Sequence, residues 1–299
     1  MKCFVNGAFV EEEDARVPLM DAGFQHGVGL FETFQVYGGR AFRLDDHLLR
    51  LSNSAAELGL AAELDREALT AAVERTIAEN GVDRCRVRLT LTAGTLSMLK
   101  PQGAADGETH VKVQQTVTVV PQPPTHYDPA YFTDGVTVMV HGPGANPFDP
   151  MEGHKTVDYW AKLRALRQAA AAGAAEAVWL NVTNHLACGC VSNVIVVRDG
   201  VVLTPIAHGE EKEGALRAPV LPGITRGVVL EFAAEAGMEV QRKMLTVKDM
   251  LDADEVCLTN SGWGVLPVVK VEQKKINRGA VGPVVSGWID QYAAATRGA

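Results

Sequence analysis

The sequence lacks the features that mark nucleic-acid-binding and membrane proteins. Its 299 residues contain 28 Lys and Arg against 36 Asp and Glu, which gives a formal net charge of −8, and no segment is rich in basic residues. No apolar stretch reaches the length of a membrane span, because Asn, His or charged residues interrupt each one. The first fourteen residues also lack the apolar core of a signal peptide. These absences predict a cytoplasmic protein that binds neither nucleic acid nor membranes.

Cysteine is scarce as well. The chain contains five cysteines, an odd number, and four of them lie in apolar segments typical of strands. This usage favours free thiols in a reducing compartment over a disulfide framework. The closely spaced Cys188 and Cys190 have no second pair elsewhere, so no zinc site is predicted. With 47% hydrophobic residues, the chain is long enough to bury a large core in one or two domains.

Turn and helix signals predict a mixture of strands and helices. Hairpins are expected at Asn6-Gly7, Gly38-Gly39 and Asp199-Gly200, where turn residues tolerant of positive φ are flanked by β-forming residues. The patterns predict helices that begin near positions 45, 65, 158, 224 and 284, and strands at 84–92, 111–119, 136–140, 177–180, 194–197 and 255–258. Because these elements do not alternate strictly, the fold class is predicted to be α+β, with two domains.

The best candidate for a linker is the proline-rich segment 120–124, which is not expected to continue a strand or to begin a long helix. The predicted organisation is therefore an N-terminal domain at 1–120, an interdomain linker at 121–132, and a C-terminal domain at 133–299.

Lys155 is the first candidate for chemistry. It lies at the junction between an irregular loop, rich in Gly and Pro, and the helix predicted from position 158. A lysine nucleophile must be partly neutral near pH 7, and burial together with nearby positive charge produces this state. Taken alone, the position is weak evidence, because most lysines remain exposed to solvent.

Three segments together suggest a site for an anion. Segment 222–226 opens a helix, and its glycine lets the amides of Ile224 and Thr225 point outward, as at known phosphate sites. Segment 259–262 offers hydroxyls and amides after a strand, and Arg50 could add a bidentate contact. Each segment alone is better explained by a helix cap, a turn or a surface residue. The segment 188–193, before the strand at 194–197, reads from physical grounds alone as a tight loop with a buried thiol.

In order and spacing, these segments resemble the fold-type IV pyridoxal-phosphate enzymes, which include branched-chain aminotransferases, D-amino-acid aminotransferases and aminodeoxychorismate lyases. The resemblance extends from about Asp21 to the end of the chain. Segment 21–33 is similar to the family pattern DRGfqyGDGlFET, and segment 47–51 to HxxRL. Segment 221–226 is similar to LxGITR, and segment 254–261 to ADEvFltnt.

The resemblance implies a small N-terminal domain, a larger C-terminal domain, a homodimer and the cofactor pyridoxal 5′-phosphate. It places Lys155 at the Schiff-base lysine. The residues that it implies for cofactor binding are Arg50, Tyr159, Cys188, Ser192, Asn193, Ile224, Thr225, Asn260 and Ser261. Phe31 and Arg88 are the candidates for substrate contact, although an arginine on an alternating strand is as often solvated.

The sequence departs from the family at one position that matters for catalysis. The family pattern EGxxSN begins with a glutamate that pairs with the pyridine nitrogen of the cofactor, and Cys188 occupies that position here. A thiol is a weaker hydrogen-bonding group and burial disfavours its thiolate, so we expect a poorer electron sink and a slower or altered reaction. Val28, where the pattern has Asp, and Ala93, where many members have Arg, are smaller departures.

The leading hypothesis is an aminotransferase that exchanges an amino group between an amino acid and a 2-oxo acid. The first alternative is an aminodeoxychorismate lyase, whose product aromatises and so could tolerate a weaker electron sink. The second alternative is a relative of the same fold that has become specialised away from transamination, and Cys188 motivates it.

Overall fold

The computed structural model describes residues 1–95 and 115–297, which form two compact units. The first unit contains the described residues of Met1–Pro124 together with the short segment Lys155–Asp158. The second contains those of Thr125–His154 and Tyr159–Ala299. Over the described ranges, every helix is too short or too polar to cross a membrane.

The first unit is an antiparallel sheet of six strands with two long helices. Its elements are β1 (Lys2–Val5), β2 (Ala8–Glu11), α1 (Ala22–His26), β3 (Gly29–Tyr37), β4 (Arg40–Ala41), α2 (Leu44–Glu57), α3 (Arg66–Asn80), β5 (Arg84–Thr92) and β6 (Thr116–Gln122). The strand order is β2-β1-β6-β5-β3-β4. Alternate residues of β5, from Cys85 to Leu91, are buried in one cluster with apolar side chains of α2 and α3. Arg88 therefore lies on the opposite face of the sheet.

The second unit is built on a mixed sheet of nine strands. Its elements are α4 (Ala130–Thr133), β7 (Val136–Ala145), α5 (Trp160–Ala171), β8 (Glu176–Asn181), β9 (Leu186–Gly189), β10 (Asn193–Arg198), β11 (Val201–Thr204), α6 (Ile224–Glu235), β12 (Val240–Arg242), α7 (Val247–Leu251), β13 (Glu255–Asn260), β14 (Gly264–Val271), β15 (Lys274–Lys275) and α8 (Pro283–Arg297). The strand order is β12-β11-β10-β13-β14-β7-β8-β9, and β15 pairs with β14. β7 runs parallel to both β8 and β14 near the centre of the sheet. β8 is buried along its whole length, as expected for a strand covered on both faces.

The local signals of the sequence are confirmed where the structure describes them. Both turn residues have positive φ in Asn6-Gly7, in Gly38-Gly39 and in Asp199-Gly200, as the predicted hairpins require. The side chain of Asp65 caps α3, and Gly81 ends that helix in the left-handed conformation. The helix expected from position 158 begins two residues later, at Trp160. The five cysteines are free and buried, as expected.

The expectation that segment 120–124 cannot continue a strand is wrong, because β6 runs through Pro121 to Gln122 and pairs there with β5. Only Phe4 and Val5 of β1 pair with β6, opposite Val119 and Thr118, so Pro121 lies beyond the paired part of β1. At such an edge the missing N–H of a proline costs no ladder hydrogen bond. Residues 111–114 of the strand expected at 111–119 lie outside the described residues. The boundaries proposed for the domains and the linker stay a prediction.

Candidate active site

Lys155 is held against the start of β3 in the first unit. The amide of Phe31 donates to the carbonyl of Lys155 at 2.9 Å, and the amide of Val157 donates to the carbonyl of Gly29 at 3.0 Å. Leu30 and Thr156 form a β-bridge between these two hydrogen bonds. These contacts fix the backbone on both sides of Lys155, although the sequence predicts an irregular loop there.

The surroundings of Lys155 disfavour its charged form. Burial is the largest cause of a pKa lowered to about 8, and the positive charges of Arg50 and Arg88 lower it further, while Glu32 opposes them. The Nζ atom lies 4.5 Å from the ring centroid of Phe31, and the guanidinium carbon of Arg88 lies 3.7 Å from the same centroid. Since the pKa is close to neutrality, a useful fraction of Lys155 carries a free amine at physiological pH.

A buried carboxylate accepts hydrogen bonds from two groups on α2. Glu32 is 1% exposed and accepts from Nε and Nη2 of Arg50 at 2.9 and 2.6 Å. Nδ1 of His47 lies 2.7 Å from Oε2 of the same carboxylate. Burial opposes the ionisation of Glu32, but the charge of Arg50 and the bond from His47 outweigh it and hold its pKa at about 2.

His47 in turn has a lowered pKa, because burial disfavours the imidazolium. A neutral imidazole that meets an ionised carboxylate must place its proton on Nδ1, so we assign that tautomer. The cluster of Glu32, His47 and Arg50 therefore fixes the guanidinium of Arg50 in one orientation. Phosphate binding by Arg50 stays a prediction.

In the second unit, α6 begins without a side-chain cap. Its N-cap residue is Gly223, which has no side chain that could accept a hydrogen bond from the first-turn amides. The first amides of a helix have no partner within the helix, so this terminus can accept an anion. Arg226, in the first turn of α6, is 3% exposed, and both of its terminal nitrogens donate to Glu210 at 2.8 Å. These hydrogen bonds stabilise the first turn of the helix.

Asn193 connects the start of α6 to the central sheet. Its Nδ2 donates to the carbonyl of Leu221 at 2.8 Å, and a Cβ atom built on Gly223 would overlap its Oδ1. Thr259 is directly opposite Asn193 in the antiparallel pair of β10 and β13, so the two side chains lie on one face of the sheet. Within the described part of the chain, the hydroxyl of Thr259 is buried and has no hydrogen-bond partner. A buried orphan hydroxyl beside an uncapped helix indicates a polar ligand.

The turn after β9 is organised around a second buried carboxylate. Glu176 accepts from the amides of Cys190 and Val191 at 3.1 Å and from Oγ of Ser192 at 3.0 Å. Nδ2 of Asn260 donates to the carbonyl of Val191 at 3.2 Å, which joins this turn to the end of β13. The side chains of the predicted cofactor ligands Ser192 and Asn260 thus stabilise the turn in this structure.

The structure brings together several predicted residues within each unit. In the first unit Lys155 lies close to Phe31, Arg50 and Arg88, which form its electrostatic surroundings. The second unit contains the other predicted residues, and Asn193 links the loop of Cys188 and Ser192 to the start of α6, where Ile224 and Thr225 lie. Tyr159 is the N-cap residue of α5, and Ser261 follows β13, and both are partly buried.

Sequence reasoning missed three residues that contribute to these clusters, namely Glu32, His47 and Lys162. Glu32 and His47 both lie inside motifs that carried the family resemblance, so a signal was present and had been assigned only to their neighbours. No sequence motif pointed to Lys162, because its contact with Cys188 forms only in the folded protein. The distance from Nζ to Sγ is 3.4 Å.

Comparison with known proteins identifies the family. The model of the amino-transferase class IV family matches residues 29–271. A protein of Methanocaldococcus jannaschii with the provisional name branched-chain-amino-acid aminotransferase is 30% identical over 286 residues, which is 95% of this chain and 92% of that protein. The D-alanine aminotransferase of Listeria monocytogenes serotype 4b is 26% identical over 291 residues, which is 96% of this chain and 93% of that enzyme.

The fold agrees with these matches. The crystal structure of the T.th. branched-chain amino acid aminotransferase with pyridoxamine 5′-phosphate superimposes with a TM-score of 0.83 at 27% identity, over 99% of this chain and 94% of that one. The family, the α+β fold of type IV and an aminotransferase as the kind of enzyme are thereby confirmed. Since the family model matches most of its length, the chain belongs to the class IV aminotransferases.

Proposed function

We propose that this enzyme uses pyridoxal 5′-phosphate to transfer an amino group between an amino acid and a 2-oxo acid, and that Lys155 is the amine that binds the cofactor. The observation that carries the proposal is the fixed position of Lys155, whose backbone pairs with the start of β3 and whose Nζ lies 4.5 Å from the ring centroid of Phe31. The pKa of about 8 agrees with it. The T.th. relative, whose structure contains pyridoxamine 5′-phosphate, supports the choice of cofactor.

The chemistry of the donors suits the phosphate of that cofactor. The start of α6 offers the uncapped amides of Ile224 and Thr225, and the orphan hydroxyl of Thr259 lies on the sheet face that carries Asn193. We assign the phosphate to these groups together with Ser261, and Arg50 stays a phosphate ligand predicted from the sequence. Tyr159 is the proposed partner of the phenolic oxygen of the cofactor, and Ser192, Asn193 and Asn260 shape the loops around it.

When bound, pyridoxal phosphate supplies an aldehyde that condenses with amines and a ring that withdraws electrons from the substrate Cα. Lys155 acts first as a neutral amine, since the ammonium has no lone pair with which to attack. Once released, the same amine moves the proton at the substrate Cα as general acid and base, for which a pKa near the working pH is optimal. Glu32 stays ionised throughout and keeps that pKa from falling further.

We assign the substrate carboxylate to Arg88, whose guanidinium stacks on the ring of Phe31. The names of the relatives make branched-chain amino acids and D-alanine the first amino donors to assay, with 2-oxoglutarate as acceptor. We further propose a homodimer, the commonest symmetric assembly, and a cytoplasmic location, which free buried thiols favour.

The test of Lys155 is chemical labelling. After incubation with pyridoxal phosphate and reduction with borohydride, peptide mass spectrometry is expected to find the phosphopyridoxyl group on Lys155 and no label in Lys155→Met. Lys162→Met is the matched control, because Lys162 is also largely buried but has a raised pKa and stays protonated. Labelling of Lys162 instead, or equal labelling of many surface lysines, would refute the assignment.

Because of Cys188, an elimination reaction is the second candidate function, since a reaction whose product aromatises tolerates a weaker electron sink. Formation of 4-aminobenzoate from aminodeoxychorismate, without amino transfer to 2-oxoglutarate, would favour the lyase. Both assays use the same purified protein, so the ratio of the two rates decides between the candidates.

A further inference from the structure

At the position of the family's glutamate, this chain has a neutral thiol beside a positively charged lysine. Cys188 is the third residue of β9 and is 7% exposed. Nζ of Lys162, on α5, donates to Sγ of Cys188 at 3.4 Å and lies 3.9 Å from a carboxylate oxygen of Glu152. The same ammonium lies 4.7 Å from the ring centroid of Trp179. Lys162 is thus held in place by a sulfur, a carboxylate and an aromatic face.

The protonation of the two groups follows from these contacts. Burial raises the pKa of Cys188 despite the nearby ammonium, so the group is a thiol at neutral pH. Burial alone would lower the pKa of Lys162, but the sulfur and Glu152 raise it above its usual value. Because the ammonium donates to Sγ, the thiol hydrogen must point away from Lys162 and can serve as a donor to another group.

Two carboxylates act electrostatically on Cys188, Glu176 and Glu152, and each is engaged by other groups. Glu176 is the nearest buried candidate, but it accepts three hydrogen bonds from residues 190–192 and a fourth from the amide of Ala177. Its Oε2 also lies 2.9 Å from the position that a Cβ atom would occupy on Gly189. The other acidic group is Glu152, which faces Lys162.

We propose that Cys188 and Lys162 together hold the ring nitrogen of the bound cofactor unprotonated, with the thiol as hydrogen-bond donor to the nitrogen and the ammonium repelling a second positive charge. The inference rests on the proposed function, since it needs bound pyridoxal phosphate. Lys162 is a positioning residue in this scheme, because it acts through Sγ and through its charge. An unprotonated ring withdraws electrons less strongly, so the pair restrains reactions that place full negative charge on the substrate Cα.

The test uses pyridoxal phosphate labelled with ¹⁵N in the ring, bound to the intact protein, and follows the ¹⁵N chemical shift from pH 6 to pH 9. The wild-type protein is expected to show the unprotonated shift across this range. In Cys188→Glu, the new carboxylate beside Lys162 is expected to move the signal to the protonated shift at neutral pH.

Lys162→Met separates the charge from the thiol. Removing an ammonium near the ring is expected to raise the pH at which the ring nitrogen titrates by about 1 unit or more. The matched control is Lys248→Met, which removes an exposed lysine of the same unit and should leave the titration unchanged. A protonated shift in the wild-type protein at neutral pH would overturn the inference while leaving the proposed function intact. A protein that binds no label at all overturns both.

Discussion

Lys155 and Lys162 lie in opposite electrostatic surroundings although only seven positions separate them. Burial, helped by the charges of Arg50 and Arg88, lowers the pKa of Lys155 to about 8. At Lys162 burial is outweighed by the sulfur of Cys188 and by Glu152, which raise the pKa. One lysine is therefore available as a nucleophile near neutral pH and the other is a fixed positive charge. The distinction comes from the partners of each ammonium, since both lysines are largely removed from solvent.

The low pKa of Lys155 has a consequence for stability. Below about pH 8 the folded protein holds a charged amine in surroundings that disfavour it, while the unfolded chain solvates that amine fully. We expect Lys155→Met to stabilise the cofactor-free protein at pH 7 by about 2 kcal/mol, a figure reduced to allow for the partial exposure of the side chain. Urea unfolding of both proteins without cofactor measures the difference.

The pH dependence provides the control for this prediction. Between pH 8 and 10.5 the folded wild-type amine is neutral while the unfolded amine is still charged, so the wild-type protein gains stability as the pH rises and the advantage of Lys155→Met disappears. Lys248→Met, at an exposed position, should differ little from the wild-type protein at either pH. A constant difference from pH 7 to pH 10.5 would contradict the charge argument.

At the scale of single elements, the start of α6 depends on close packing between a glycine and an asparagine. Gly223 has φ of −68°, which any residue adopts, so its importance lies in the space that Oδ1 of Asn193 occupies beside it. A side chain at this position must displace Asn193 and, with it, the hydrogen bond to the carbonyl of Leu221. The amides of Ile224 and Thr225 would then lose their fixed direction.

We expect Gly223→Ala to weaken the affinity for pyridoxal phosphate by about tenfold, which corresponds to the loss of roughly one hydrogen bond. Gly227→Ala is the matched control in the same helix, because a Cβ atom there meets nothing within 4 Å. That change should leave the affinity unaltered and stabilise α6 by up to about 1 kcal/mol. Equal affinities for both variants, from a titration of the cofactor-free protein, would exclude α6 as the phosphate site.

At the scale of elements, the sequence predicted correctly those features that depend on neighbouring residues. The turn at Asp199-Gly200 and the cap of α3 at Asp65 depend on residues within a few positions, and both were predicted correctly. The continuation of β6 through Pro121 was not predicted, because it depends on how far β1 pairs along β6. The motifs located Lys155 and the start of α6, whereas the contact between Lys162 and Cys188 spans 26 positions and exists only in the folded unit.

At the scale of the whole molecule, the acid limit of stability is expected to depend on the cluster of Glu32, His47 and Arg50. The pKa of Glu32 is held at about 2, against 4.5 for an ordinary glutamate, so its ionised form stabilises the fold above pH 4.5. A tenfold change in equilibrium corresponds to about 1.4 kcal/mol, and the lowering of this pKa therefore contributes roughly 3 kcal/mol. The contribution is lost as the pH falls from about 4.5 to about 2.

Glu32→Gln removes this contribution and leaves the guanidinium of Arg50 buried without its carboxylate. We expect the variant to be less stable by about 3 to 5 kcal/mol at pH 7, since a broken buried pair strands a charge. The deficit should shrink as the pH falls from 4.5 towards 2, because Glu32 of the unfolded wild-type chain then takes up a proton while folded Glu32 is still ionised. Unfolding by urea at a series of pH values measures it. Glu79→Gln, which breaks an exposed pair with Lys2, should change stability little at any pH. If the deficit of Glu32→Gln stayed the same from pH 7 to pH 3, shape and not charge would explain the role of Glu32, and its proposed control over the pKa of Lys155 would lose its basis.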